Sequence, residues 1–399
     1  MKNILIVETY YEGHYLTGYI KYILRSLKNK KFFITLLTSN KSLKYGRGAL
    51  EILKKEKVNF KILTTNFDTK TSFYENNLYF TQIINYFKIK KFLKKNSNLK
   101  FDFVCFSSLQ RFLIPFSLYG NPFKDTPIIG VFLGAKFHLK HFGINQEGRY
   151  DFVFKFLFRL FIRKSFIRHV IVNDHLLKKY FNRTNNFYSQ KITFLHDPKE
   201  TRFKFNKSKI RKSFNYSPKY KYLLLYGALI QSKGIEQLFH IIRSKNINKN
   251  LKLIIAGKQF LETKKFLKSS FAKKIIKQKK IQIFNDWQTE KMEAKLLSLC
   301  DIVWIAYKNY STPSGVLYQA ASLGLPVVVS NDGLIHKLNK KYNFGISVDI
   351  NKSNLAANKI NNFFHDVKYR KYSKNIRTFY KTSEPDNWVK GFLNIIDKL

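Results

Sequence analysis

Apolar positions along this chain alternate between two patterns. Short unbroken apolar runs, the signature of strands, are followed by stretches with an apolar residue every third or fourth position, the signature of helices. NILIVET, FFITLLTSN and VNFKILTT read as the first three strands, with YIKYILRSLKN as a helix between the first two. NNLYFTQIINYFKIKKFLKK predicts a long helix. FDFVCFSS and TPIIGVFLG predict further strands separated by the helical LQRFLIPFSLYG, and RHVIVNDHLLKKYF adds a strand and a helix. The segment after residue 195 is polar, basic and weakly periodic, and reads as a linker. Alternation then restarts. KYLLLYGAL, LKLIIAGK, IQIFND, DIVWIAY, LPVVVS and FGISVD read as strands. KGIEQLFHIIRS, TKKFLKSSFAKKIIKQK, TEKMEAKLLSLC, the segment after STPS, KSNLAANKINNFF and PDNWVKGFLNIIDKL read as helices.

Strand–helix alternation of this kind predicts an α/β protein with parallel sheets. Two successive rounds predict two domains, over 1–195 and 221–380, with a linker at 196–220 and a closing helix over 381–399. A length of 399 residues suits two cores, and 45% hydrophobic residues can fill them. In open parallel sheets ligands bind at the carboxyl ends of the strands, so the loops at those ends are where chemistry is expected.

Charge narrows the partners. With 73 basic and 25 acidic residues the chain carries +48, which attracts nucleic acid, acidic lipid or phosphorylated substrates. The abundance of Lys, Asn, Ile, Phe and Tyr also fits A/T-rich codons, so charge alone names no partner. No finger, RNP-type strand or helix-turn-helix pattern is visible, and nucleic acid is not the expected partner. Two cysteines, Cys105 and Cys300, each lie in an apolar run and read as small core residues of a protein in a reducing, cytoplasmic compartment. The start, MKNILIVETYYEGH, reads as a first strand rather than a signal peptide, and no apolar run is long enough to span a bilayer.

Four loops at strand ends could hold an anion. In STPSGVLYQAASLGLPVVVS, Ser314-Gly315-Val316 opens a helix, whose unpaired N–H groups suit a phosphate; Ser314 could cap it and Gly315 lets a ligand approach. An ordinary N-cap with a packing glycine is the plainer alternative. In YGALIQSKGIEQL, Gly227 ends a strand and Lys233 could reach a diphosphate as a point charge. Gly257 and Lys258 follow a strand in the same way. In YYEGHYLTG, Gly13 follows the first strand, and His14 has a pKa suited to acid–base work, although a lone histidine is more often structural.

The order of these pieces resembles a GT-B glycosyltransferase, specifically the large retaining group called glycosyltransferase family 4. The residues that carry the resemblance are EGH after the first strand, YGALIQSKGI, LIIAGK, CDIVWIAY and SGVLYQAASLGLPVVVSNDGL. The resemblance implies two Rossmann-like domains facing across a cleft, with a nucleoside-diphosphate sugar in the second and the acceptor in the first. It implies transfer with retention to a polysaccharide or lipid-linked glycan, with no metal and no cofactor beyond the donor substrate. Carried over, Gly13, Gly227, Lys233, Gly257, Lys258, Ser314, Gly315, Val316 and Gln319 form the donor site, and His14 and His138 are the catalytic candidates. The sequence departs from the family where its paired signature glutamates would stand, at Ser311 and Gln319, and Ala228 stands where an arginine often follows Gly227. The family's first-domain histidine falls on Leu133, with His138 and His141 further along. A divergent active branch, an inactive GT-B protein binding membrane or glycan, and a GT-B sugar-nucleotide epimerase all remain open on these residues.

RYDFVFKFLFRLFIRKSFIRH, over 149–169, interleaves aromatics with Arg and Lys at near-helical spacing. Two readings fit it. One is an interfacial helix on an anionic membrane, placing the protein peripherally on the inner face of the cell membrane. The other is a core helix with a solvated basic edge.

Overall fold

The computed structural model describes residues 2–10, 16–45, 47–68, 78–144, 148, 150–184, 186–199, 201, 203–278, 281–286, 288–308, 310–364 and 367–399. The chain divides into two compact units. One holds the chain to Pro198, apart from a short piece at Ile144, and takes up Pro385–Leu399; the other holds Lys199–Glu384.

The first unit is built on strands β1 (Lys2–Glu8), β2 (Phe32–Ser39), β3 (Phe60–Thr65), β4 (Phe103–Phe106), β5 (Ile128–Phe132), β6 (Ile167–Val172) and β7 (Ile192–Phe194). Their order is β3-β2-β1-β4-β5-β6-β7, and every pair is parallel. β1 lies inside the sheet, with Ile6 opposite Leu36 on one side and Cys105 on the other. Leu5 and Val7 enter one hydrophobic cluster while Ile4 and Ile6 enter another. Burial on both faces is why the run ILIV shows no polar alternation. The first cluster lies under helices Leu78–Lys95, Leu113–Leu118 and Asp151–Arg163. The second lies under helix Tyr19–Leu27 and the C-terminal helix Pro385–Ile396, where Trp388 stacks on Phe392 at 5.2 Å and lies against Tyr19 and Tyr22. Truncating either buried ring would cost about 3–5 kcal/mol.

The second unit repeats the plan with β8 (Lys221–Tyr226), β9 (Leu251–Ala256), β10 (Ile281–Phe284), β11 (Ile302–Ile305), β12 (Val327–Ser330) and β13 (Gly345–Val348), in the order β10-β9-β8-β11-β12-β13. Counted within each unit, both sheets run 3-2-1-4-5-6, the doubly wound order of dinucleotide-binding folds, and the first adds a seventh strand at its edge. The order reverses beside the first strand of each unit. The carboxyl ends of β8 and β11 therefore flank a crevice suited to a ligand.

Several elements differ from the sequence expectation. Within the segment read as linker, Lys207–Ser213 is a helix capped by the Asn206 side chain. Its local pattern is weak because Ile210 is its sole buried apolar residue. Asp301 holds it instead, accepting from Lys207 Nζ at 2.6 Å, from Arg211 Nη2 at 2.7 Å and from the Tyr222 N–H at 2.7 Å. The single helix expected over TKKFLKSSFAKKIIKQK is two, Leu261–Lys268 and Ser270–Lys277, because Ser269 breaks it and caps the second through the Ala272 N–H. Helices Gly333–Tyr342 and Val367–Ser383 and strand β7 add to those anticipated. Cys105 and Cys300 are both wholly buried. Among the described residues no helix is long and apolar enough to cross a membrane.

Candidate functional site

The carboxyl end of β8 passes into a loop that Gly227 and Gly257 make possible. Gly227 has φ +105° and Gly257 φ +134°. A Cβ on Gly257 would sit 1.9 Å from the Gly227 carbonyl oxygen, so the two loops abut backbone to backbone. The Gly227 N–H donates to Ala256 O and the Gly257 N–H to Phe284 O, which continues the sheet's hydrogen bonding to its edge. After Gly227 the chain makes a short turn, Gln231–Lys233, closed by Gly234 at φ +68°. A side chain at Gly234 would meet Ala306 O at 2.9 Å. β11 and the residues after it hold this turn: Trp304 Nε1 donates to Lys233 O at 3.1 Å, and the Lys308 N–H to Ser232 O at 2.8 Å.

This clamp fixes Lys233. The residue is buried, and its ammonium donates to the Tyr307 hydroxyl at 2.6 Å. Burial lowers its pKa from the ordinary 10.5 to about 8, with Tyr310 working in the opposite direction. It therefore remains mostly a cation at neutral pH. Tyr307 lies 3.4 Å from Ser314 Oγ, and burial raises its phenol above the ordinary value. Ser314 precedes helix Gly315–Ser322 but does not cap it with its hydroxyl, which faces Tyr307 instead. A Cβ on Gly227 would lie 3.8 Å from both Lys233 Nζ and Val316 Cγ2. The structure thus brings together Gly227, Gly257, Lys233, Ser314, Gly315 and Val316: a cation, a helix start and a backbone open to close approach. A helix leaves its first N–H groups without intrahelical partners and positive in potential, so this corner suits an anion such as a diphosphate.

Lys258 stands apart. It is exposed, its carbonyl accepts from the Leu229 N–H, and its Nζ lies 6.0 Å from the Phe260 ring centre. Gln319 lies one turn into helix Gly315–Ser322 and donates its amide to Glu293 Oε1 on helix Glu290–Leu299. Burial raises the Glu293 carboxyl above its ordinary range, while the Tyr226 hydroxyl, the Lys199 charge and Gln319 pull it back. Tyr226 ends β8, and the stem of Lys199 passes 3.6 Å from where a Gly315 Cβ would stand. Glu293, Tyr226, Tyr307 and Lys199 were not picked out by sequence reasoning. Glu293 and Gln319 are 26 positions apart and no motif joins them; Lys199 sits in the segment read as linker. Tyr226 and Tyr307 lie in YGALIQSKGI and CDIVWIAY, but strand pattern alone gives neither phenol a role.

In the first unit, Gly13 and His14 lie outside the described residues. Just before them, at the end of β1, the buried Glu8 accepts from the Ser107 and Ser108 hydroxyls at 2.7 and 3.2 Å and from the Tyr10 N–H at 2.9 Å. His138 is wholly enclosed, with Nε2 2.6 Å from Asp174 Oδ2, and Asp174 also accepts from the Leu176 N–H. In this conformation its imidazole meets Asp174 rather than solvent.

Comparison with known proteins follows the same division. Residues 206–379 match the family model described as "Glycosyl transferases group 1". No curated protein matches the sequence. Among solved structures, HepE from Anabaena in complex with UDP is 14% identical, with 100% of each chain covered and a TM-score of 0.70. Sucrose-phosphate synthase from Thermosynechococcus elongatus is 12% identical, with 100% of this chain and 99% of that one covered and a TM-score of 0.73. A glycosyltransferase from Rickettsia africae is 15% identical, with 100% and 98% covered and a TM-score of 0.67. At such identities the likeness shows the fold, which is GT-B, with two Rossmann-like parallel-sheet units.

Proposed function

We propose that this protein is a glycosyltransferase that takes a sugar from a nucleoside-diphosphate sugar and transfers it, with retention, to a polysaccharide or lipid-linked glycan. The observation that carries the reading is the buried Lys233 ammonium held beside the start of helix Gly315–Ser322 at the switch point of the second sheet. The match over 206–379 covers this same region. Breaking the sugar–phosphate bond leaves negative charge on a diphosphate. A fixed cation and a fixed row of N–H groups stabilise that charge without having to reorganise. Transfer with retention at such a site uses the leaving diphosphate oxygen to assist the incoming hydroxyl, so no separate base is called for. Lys233 would be the principal contact to the diphosphate. Gly315 and Val316 would offer backbone amides, and Gly227 and Gly257 would leave room for the phosphates. Because HepE is described in complex with UDP, a uridine donor is the first to test.

The test is a calorimetric titration with UDP, GDP and ADP at fixed salt, repeated with Lys233→Ala. Selective binding of one nucleotide, lost in the variant, supports the reading. Equal, salt-sensitive binding of all three that survives the substitution would mean that a chain of charge +48 attracts phosphate nonspecifically, and the donor site would have to be abandoned. Absence of all binding would favour an inactive GT-B protein. Epimerisation of the sugar nucleotide with no acceptor present would replace transfer by the epimerase reading.

A further inference from the structure

The first unit carries an apolar surface that its own core does not use. The segment read as either interfacial or core has a buried face and an exposed aromatic one. In helix Asp151–Arg163, Phe158, Phe161 and Ile162 are buried, while Phe152 is 81% and Phe156 55% exposed. The exposed stripe runs Phe152, Phe156, Arg159, Arg163. Helix Leu78–Lys95 repeats the plan, with Phe80 69% and Phe87 49% exposed and the stripe Phe80, Ile84, Phe87, Lys91, Lys94. In each helix the first turns of the stripe are apolar and the last turns basic.

The two helices flank the short helix Leu113–Leu118. The Ile114 N–H donates to Gln82 Oε1 at 3.2 Å, and Ser117 Oγ donates to Leu157 O at 3.0 Å. Leu118 and Tyr119 are exposed between them, and the Tyr119 ring lies 5.6 Å from Phe87. Helices Leu78–Lys95 and Asp151–Arg163 both return antiparallel to the strands of one parallel sheet, so their apolar first turns lie toward its carboxyl edge, while Leu118 and Tyr119 are exposed at the end of the short helix between them. The same apolar-then-basic order on two neighbouring helices is more than scattered surface residues explain.

We infer that this three-helix face docks on the surface of an anionic lipid bilayer, with Phe80, Ile84, Phe87, Phe152 and Phe156 entering the interface and Lys91, Lys94, Arg159 and Arg163 on the headgroup phosphates. Charge complementarity selects the occupant. Helix Leu78–Lys95 has no acidic residue, and the one on helix Asp151–Arg163, Asp151, accepts from the Gly148 N–H. A second copy of the chain would bring like charges together, and the sequence shows no nucleic-acid-binding pattern. A bilayer interface takes both bands at once. The inference does not depend on the sugar-transfer reading.

The test is co-sedimentation of the full chain with vesicles of phosphatidylglycerol and phosphatidylcholine, against phosphatidylcholine alone, at about 0.15 M salt. We expect binding to the anionic vesicles only. Phe80→Ser, Phe87→Ser, Phe152→Ser and Phe156→Ser together should lower the partition coefficient at least about tenfold. Substitution of either helix alone should lower it part of the way. Phe33→Ser, which removes an exposed ring at the opposite edge of the sheet, should leave binding unchanged. Because the substituted rings are exposed, unchanged melting and circular dichroism would show the variants folded. The inference is overturned if the four-ring variant binds anionic vesicles as well as the parent, if the parent does not bind them, or if the face instead drives lipid-free dimerisation that the four substitutions abolish.

Discussion

Replacing Lys233 with Met should make the ligand-free protein more stable at neutral pH and less stable at high pH. The fold lowers the Lys233 pKa from 10.5 to about 8 by burying its charge. That lowering corresponds to about 3 kcal/mol. Below about pH 8 the amine is charged in both folded and unfolded chains, and the full cost is present. Between about 8 and 10.5 the unfolded chain holds the extra proton, so stability of the parent rises with pH, and above that range the cost is gone. Met keeps the length of the side chain and removes the charge. It also removes the bond to Tyr307, which costs about 1–2 kcal/mol. The variant should therefore be about 1–2 kcal/mol more stable than the parent at neutral pH and about as much less stable near the upper end of the range. For a unit of this size each kcal/mol moves the melting temperature by about 2–4 °C. Paired melting curves from neutral pH to about 10.5 measure the difference. UDP at about a hundred times its Kd should add about 2.7 kcal/mol to the parent and nothing to the variant. A parent–variant difference that stays flat across the range would refute the claim that the fold holds a buried, strained cation at this corner.

Gly257→Ala should destabilise the second unit by about 3 kcal/mol or more and abolish nucleotide binding by calorimetry, since its methyl would overlap the Gly227 carbonyl at a φ of +134°. Gln319→Glu should lower stability by about 1–3 kcal/mol, because a second carboxylate would meet Glu293 where an amide now donates to it. Denaturant titration should show the loss recovered by adding Glu293→Gln. Asp301→Ala leaves Arg211 Nη2 and the Tyr222 N–H without their acceptor and should cost about 3–5 kcal/mol, with protease susceptibility appearing first around Lys207–Ser213.

The alternation of apolar runs and amphipathic stretches was enough to place two parallel α/β units in the chain. A strand buried on both faces has to be apolar throughout, and a helix on a sheet has to be apolar every third or fourth residue. Glycines were legible for a similar reason: a positive φ or a backbone contact admits little else, so Gly227 and Gly257 at strand ends mark such positions in the sequence itself. Lys233 was legible through its place after such a glycine. Residues whose roles depend on partners far along the chain were not legible. Helix Lys207–Ser213 looks like linker until Asp301, about ninety positions away, supplies its anchor. Glu293 looks like any polar residue on a helix until β8 and helix Gly315–Ser322 bring Tyr226 and Gln319 to it. The C-terminal helix carries a clear amphipathic pattern, but nothing in that pattern says that it packs on the first unit beside Tyr19 and Tyr22. The basic aromatic segment shows the division within one helix. Sequence spacing set which residues share a face, and only packing against Phe132, Phe137 and Phe181 decided which face was core and which was left exposed.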